Sequence, residues 1–173
     1  VLGGLLPYLD RAPLAFYGLN PKGAVWHPGW LNPFRAHQHR HVQDADAVML
    51  YWVCNGFLGI RTIARLLALR KPVLWRLSDM WPFTGGCHYS GACQRFRNRC
   101  GRCPQLDGRS SYDLSRRVYR SKASLWRLAK NPWLTIVSPS RWIAKHVAQS
   151  SLFAETPQTI IPTGVDTRLF KPI

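Results

Sequence analysis

Four cysteines in the spacing Cys87-x5-Cys93-x6-Cys100-x2-Cys103 follow directly on Ser78-Asp79-Met80-Trp81-Pro82-Phe83-Thr84-Gly85-Gly86. Thiols gathered in so short a loop can give one tetrahedral ion a four-sulfur shell. Four protein ligands leave no open coordination position, so the ion implied is a structural Zn²⁺ and not a catalytic metal. His88 could replace one thiol. In a reducing compartment clustered thiols favour metal; two disulfides or packed, unlinked thiols are the alternatives. The fifth cysteine, Cys54, is expected to be a packed thiol.

Beside the cysteines, Asp79 is the ionisable group at the exit of a short apolar run. Its carboxylate can accept a proton or orient a hydroxyl, or it can cap the loop through backbone hydrogen bonds. Ser78 next to it can only hydrogen-bond. Trp81 and Phe83 are either a stacking platform or core. His37, His39 and His41 read as a solvated loop rather than a ligand set.

The elements that must position these groups alternate between strand and helix. Residues 1–44 are Pro-rich and irregular in composition. Ala47 to Val53 is a continuous apolar run of strand length, which predicts a central strand covered on both faces. Phe57, Ile60, Ala64 and Leu67 recur at three and four, with Arg61 and Arg65 opposite, predicting a helix that ends near Lys71-Pro72. Val73 to Leu77 reads as a second strand, completing a βαβ unit.

Beyond the cysteine loop, Asp113 is placed to cap a helix lined by Leu114, Val118, Leu125 and Ala129. Leu134 to Val137 is a third strand, Ser140 caps a short helix carrying Ile143 and Val147, and Thr159 to Ile161 is a fourth strand. The alternation predicts an α/β fold, a Rossmann-like parallel sheet with helices on both faces and a Cys-rich loop insertion at 84–108. Ligands of such sheets meet the loops at the carboxyl ends of the strands. Those loops are Cys54-Asn55-Gly56, Ser78 to Trp81, and Ser138 to Trp142, and the start of the Ser140 helix is a further candidate for a phosphate.

Lys and Arg number 24 against 8 Asp and Glu, a net charge of +16. An anionic partner or surface is favoured, without choosing among nucleic acid, lipid and phosphorylated substrate. Basic residues concentrate between Arg95 and Lys130, where Arg109 and ten others face only Asp107 and Asp113. No signal peptide or spanning segment is recognisable.

The stretch Pro72 to Tyr89 (PVLWRLSDMWPFTGGCHY) resembles the acceptor-side domain of family 4 glycosyltransferases, of the kind used in bacterial exopolysaccharide and colanic-acid-type synthesis. Cys100-Gly101-x-Cys103-Pro104-Gln105-Leu106, Thr135-Ile136-Val137-x-Pro139-Ser140-Arg141-Trp142 and Ile161-Pro162-Thr163-Gly164-Val165-Asp166-x-x-x-Phe170-x-Pro172 are similar to the same family in the same order. The resemblance covers residues 45–173. It implies one half of a GT-B enzyme: a Rossmann-like acceptor domain at 45–166 with residues 1–44 as its irregular N-terminal part, and 167–173 beginning a linker to a donor domain. The chain is accordingly read as a fragment, inactive alone.

The resemblance further implies sugar transfer without a catalytic metal and with retained configuration. The nucleotide-sugar donor would be held mainly by the other domain. The acceptor would be a glycan or a polyprenyl-diphosphate-linked sugar, and the setting the cytoplasm, peripheral to an anionic inner membrane face. Asp79 and Ser78 become the catalytic candidates, and Asn55, Trp81, Ser140, Arg141 and Gly164 the acceptor or cleft residues. Many relatives carry His where this chain has Ser78, and Asn where it has Thr163. The rival reading is a zinc-stabilised, basic nucleic-acid-binding module. It is disfavoured because the thiols lie between a strand and a helix of a larger sheet, whereas finger modules build a recognition helix or hairpin around the metal.

Overall fold

The computed structural model describes residues 2–19, 24–31, 34–107, 110–129 and 132–171. Arg109, Lys130 and Pro172 lie outside them. Four parallel strands, β1 (Val48–Leu50), β2 (Val73–Arg76), β3 (Leu134–Ser138) and β4 (Gln158–Ile160), form one sheet in the order β1-β2-β3-β4. Parallel neighbours require long crossovers. Here α3 (Ile60–Leu67), α4 (Leu114–Ala129) and α5 (Arg141–Ala148) supply them and flank the sheet. The cysteine loop is inserted between β2 and α4.

The register sets Val48 against Val73 and Leu134, and Leu50 against Trp75 and Ile136. Val73, Trp75 and Ile136 are completely buried. On this face Trp75 meets Trp126 of α4 and Phe153, ring centroids 5.4 and 5.9 Å away. The alternate positions are less covered: Met49 is 52% exposed, and Leu74 and Thr135 are half-buried. The apolar run Ala47 to Val53 is therefore an edge strand of three residues, not a central one; Tyr51 and Trp52 leave the sheet and stand exposed.

The helices follow their sequence signals closely. Ile60, Ile63, Ala64 and Leu67 of α3 are buried and Arg61 and Arg65 exposed. Phe57 lies outside the helix and is exposed, because Asn55 and Gly56 take positive φ and turn the chain first. Asp113 accepts a hydrogen bond from Arg116 N at 3.1 Å at the start of α4, and Ser140 caps α5 by accepting from Ile143 N at 3.3 Å. These orphan amides are the ones a cap satisfies.

The first forty-four residues are not irregular as their composition suggests. They hold α1 (Leu2–Arg11) and α2 (Arg40–Asp44), with 3-10 turns between. Gly3, Gly4 and Pro7 dilute the helical pattern of α1. Buried Asp10 near its end accepts from the backbone amides of Gly29, Trp30 and Leu31 at 3.2, 2.9 and 3.3 Å, which ties the following loop down. Among the described residues, no helix is long and apolar enough to cross a membrane.

Lys122 of α4 is the unexpected core residue, with no exposed surface. Its ammonium lies 3.5 Å from the ring centroid of Trp81 and donates to the carbonyls of Trp81 and Thr84. Burial pulls its pKa from 10.5 down to about 7, against the opposing pull of Cys54, Cys87, Cys100 and Asp79. The folded value lies below the unfolded one, so the unfolded chain binds the extra proton between them, and stability from this group rises from pH 7 upward. Buried thiols such as Cys87, raised from 9.0 to about 12, oppose this once unfolded cysteines ionise. Unfolding free energy should therefore rise by about 1–2 kcal/mol between pH 7 and about 8.5, and Lys122→Met should flatten that rise. Urea titrations of both proteins at several pH values check it; parallel pH profiles would contradict the buried titration.

Candidate functional site

The loops leaving the carboxyl ends of β1 and β2 bring together groups from three distant segments. Asp79, two residues beyond Leu77, is buried with both oxygens engaged. Oδ1 accepts from Trp81 N at 2.8 Å, the loop-capping bond expected of Asp at a turn. Oδ2 accepts from His88 Nδ1 at 2.6 Å. Beyond it, His88 Nε2 and His27 Nδ1 are 2.8 Å apart. Both imidazoles are buried, and Trp52 stands against them with ring centroids 6.2 Å from His27 and 6.0 Å from His88.

The direction of this chain follows from donor chemistry. A carboxylate only accepts, so His88 donates through Nδ1 and, as a neutral ring, presents a lone pair at Nε2. His27 Nδ1–H fills that acceptor, which leaves His27 Nε2 without a hydrogen. That atom is buried, and the Asn55 side chain is the polar group beside the ring. Burial, with His88 and Arg11 nearby, lowers the His27 pKa from 6.5 to about 4, so the ring is neutral near pH 7. A hydrogen bond with the Asn55 side chain and the charge of Asp79 pull the other way. Both Asp79 oxygens are engaged internally and the residue is only 6% exposed, so burial closes it to an incoming hydroxyl, and the group it polarises is His88.

Backbone bonds hold the relay. Trp26 and Cys87 form an antiparallel bridge, with His27 N donating to Gly86 O at 2.9 Å and His88 N to Val25 O at 3.1 Å. Met80 N donates to His88 O at 2.8 Å, and Trp81 Nε1 to His27 O at 2.8 Å. The approach is tight: a Cβ on Gly85 would meet Ser115 O at 2.4 Å.

The other candidate residues fall into distinct places. Trp81 and Phe83 are completely buried, Trp81 beneath Lys122 and Phe83 against Phe96, so neither offers a face to a sugar; both are core. Ser78 is exposed, and its carbonyl accepts from Tyr89 Oη at 3.5 Å. Exposed Tyr89 also meets exposed Trp142 of α5, 6.3 Å between ring centroids, which links the β2 and β3 loops. Asn55 is exposed in the left-handed conformation beside His27. Ser140 and Arg141 are exposed at the start of α5, and Gly164 stands clear of any neighbour. Arg76 Nη2 donates to Thr163 Oγ1 at 2.5 Å, so the segment after β4 reaches the same edge. His39 caps α2 by accepting from His41 N at 3.3 Å.

The four loop cysteines line one cavity of about 20 Å³ together with Trp26 and Phe96. All five cysteines of the chain are free thiols. Burial raises Cys87, Cys100 and Cys103, and the neighbouring thiols add to the rise. Asp113 Oδ2 accepts from Cys103 N at 2.6 Å and Ser115 Oγ from Gly101 N at 3.0 Å, while Arg95 donates to Gly101 O and Arg102 O. Among the described residues, the three side chains whose ligand atoms all lie within 4.8 Å of one another are a different set, His27, Cys54 and His88. This is a possible metal site that the cysteine spacing did not reveal.

Sequence reasoning missed His27, the participation of Cys54, and the burial of Lys122. Only Lys122 carried a local signal. It sits four residues after Val118 on the apolar face of α4, the position of a core residue.

No protein-family model and no solved structure matches the chain. A curated relative does: over 124 residues the chain is 28% identical to the colanic acid biosynthesis glycosyl transferase WcaC of Escherichia coli (strain K12). The match takes in 67% of this chain and 29% of that protein. The chain is thus similar to a stretch of a protein named as a glycosyl transferase, and it spans under a third of that relative's length.

Proposed function

We propose that this chain is the acceptor-side, Rossmann-like domain of a family 4 GT-B glycosyltransferase that moves a sugar from a nucleotide-sugar to a glycan or lipid-linked acceptor in bacterial surface polysaccharide synthesis. The observation that carries the reading is the similarity to a colanic acid glycosyl transferase in a chain whose parallel sheet gathers Asp79, His88 and His27 at its carboxyl edge. Acceptor domains of this architecture receive ligands at that edge. The second domain would bring the donor. A cytoplasmic site against an anionic membrane face accords with the net charge of +16.

In this reading Asp79 is a positioning residue. It fixes the tautomer of His88, and the two imidazoles pass that polarity toward the acceptor side, where Trp52, Tyr89 and Trp142 expose ring faces. Those exposed rings, not Trp81, are the stacking surface for a pyranose. Ser78, Asn55, Ser140, Arg141 and Gly164 border it as polar or small groups.

In an enzyme containing both domains, Asp79→Asn should lower kcat by roughly 10²-fold or more, and Ser78→Ala by far less. Tyr89→Ala and Trp142→Ala should raise the acceptor KM roughly three- to tenfold with smaller effects on kcat. Residues 1–173 alone should transfer no sugar, because half a cleft cannot hold both reactants in attack geometry. Equal, small losses at Asp79 and Ser78 would reduce Asp79 to a loop cap.

A structural Zn²⁺ held by Cys87, Cys93, Cys100 and Cys103 belongs to the same proposal. The shared cavity supports it; the sulfurs must turn inward to reach the ~2.3 Å zinc–sulfur distance. Buried Lys122 and the nearby Arg95 and Arg116 would offset the negative charge of four thiolates. Reduced protein reconstituted with zinc should retain one equivalent that Cys100→Ser loses, together with protection of residues 87–107 from protease. Equal zinc content and equal cleavage in the two proteins would overturn the assignment.

A further inference from the structure

Three segments far apart in sequence deliver His27, Cys54 and His88 to one buried point. The loop after α1 carries His27, the end of the β1 segment carries Cys54, and the turn after β2 carries His88. Their ligand atoms all lie within 4.8 Å of one another, and each side chain is at most 4% exposed. We propose that these three residues form a transition-metal site of the zinc class, separate from the cysteine loop, with Asp79 as the carboxylate behind His88.

The donor set fits a borderline dication. Two imidazoles and one thiolate are ligands that Zn²⁺ and Co²⁺ accept, whereas Mg²⁺ and Ca²⁺ prefer oxygen. The Asp79–His88 bond at 2.6 Å is the outer-sphere contact that metal-bound histidines commonly make, and it directs the His88 Nε2 lone pair into the cluster. His27 adds a neutral ring whose Nδ1 stands 2.8 Å from His88 Nε2, so one ion could meet both nitrogens. A hydrogen-bonded pair of imidazoles accounts for one nitrogen of His27; an ion accounts for why a thiol stands against both rings.

Charge also balances locally. A dication beside the Cys54 thiolate and the Asp79 carboxylate is neutral as a group, and binding releases the Cys54 proton. Lys122 and Arg11 are the cations near this cluster, and Asp10 is a further buried acid facing Lys122. With an ion in place His27 carries its hydrogen on Nε2 and frees Nδ1, and the separation of 2.8 Å between His88 Nε2 and His27 Nδ1 opens to roughly 3.3 Å for tetrahedral coordination at ~2.0 Å per bond. That is a small motion of the His27 loop. Three protein ligands leave a fourth position, and Trp52, 45% exposed, is the aromatic neighbour of both rings, edge-on to His27.

The test is a Co²⁺ titration of reduced, chelator-treated protein, followed by thiolate-to-cobalt absorption and by bound equivalents. Cys54→Ala should bind one equivalent fewer than the parent protein, whatever the cysteine loop holds, and lose part of the charge-transfer band. Cys93→Ser should keep that equivalent. Asp79→Asn should weaken it roughly ten- to a hundredfold without changing the count at saturation. His27→Gln, on a loop tied by backbone bonds, provides a second removal should Cys54→Ala not fold. Equal equivalents and equal absorption in the parent, Cys54→Ala and His27→Gln proteins would overturn the site and leave a hydrogen-bonded histidine pair beside a packed thiol.

Discussion

The buried ammonium of Lys122 is the contact on which the rest of the carboxyl edge depends. A primary amine without solvent is costly unless its donors are used. Here they grip the carbonyls of Trp81 and Thr84, two points on one short loop, while the Trp81 indole lies against the charge. That loop begins at Asp79 and ends at Cys87. Fixing its middle sets the approach of Asp79 to His88 on one side and the position of the first cysteine on the other. Trp81 in turn donates to His27 O, so the same residue that covers the lysine also holds the N-terminal loop. One α4 side chain thereby couples the helix, the relay and the cysteine loop.

What could be read from the sequence was local. The apolar spacing of α3 and the cap residues Asp113 and Ser140 are each decided within a few neighbours, and they appear where expected. β2 and β3 were legible because Val73, Trp75 and Ile136 belong to short, strongly apolar runs. The position of β1 was not, since an apolar run does not say whether another strand lies beside it. Met49, Tyr51 and Trp52 are apolar yet exposed, which is the ambiguity of such runs. In α1, Gly3, Gly4 and Pro7 oppose the helix locally, and the contacts of Asp10 with residues 29 to 31 help hold it in place.

The relay was illegible for a different reason. His27 and His88 are 61 residues apart, and their meeting depends on the bridge of Trp26 to Cys87, a pairing of two residues with no flanking strand pattern. Asp79 was visible as an ionisable residue at a strand exit, and the capping role foreseen for it is seen in the Trp81 amide bond, while its pairing with His88 was not foreseen. One oxygen serves the Trp81 amide and the other the imidazole. Trp81 stayed open between platform and core because aromatic type alone does not distinguish a sugar platform from a lid over a buried cation.

The acidic residues complete the electrostatic logic. Of 8 in the chain, Asp10, Asp79 and Asp113 are buried and each is consumed by internal donors: loop amides after α1, the His88 ring, and the Cys103 amide with the α4 cap. Among the described residues every Lys and Arg except Lys122 keeps exposed surface, so the exterior is more cationic than the net charge of +16 alone conveys. Arg99, Arg116, Arg120 and Arg127 line an open groove of about 1230 Å³ that reaches Leu134 and Pro157, at the amino ends of β3 and β4. The relay occupies the carboxyl end. The basic groove and the hydrogen-bonded chain of Asp79, His88 and His27 thus lie at opposite ends of the sheet, so the cationic field of the one is not set against the buried carboxylate of the other.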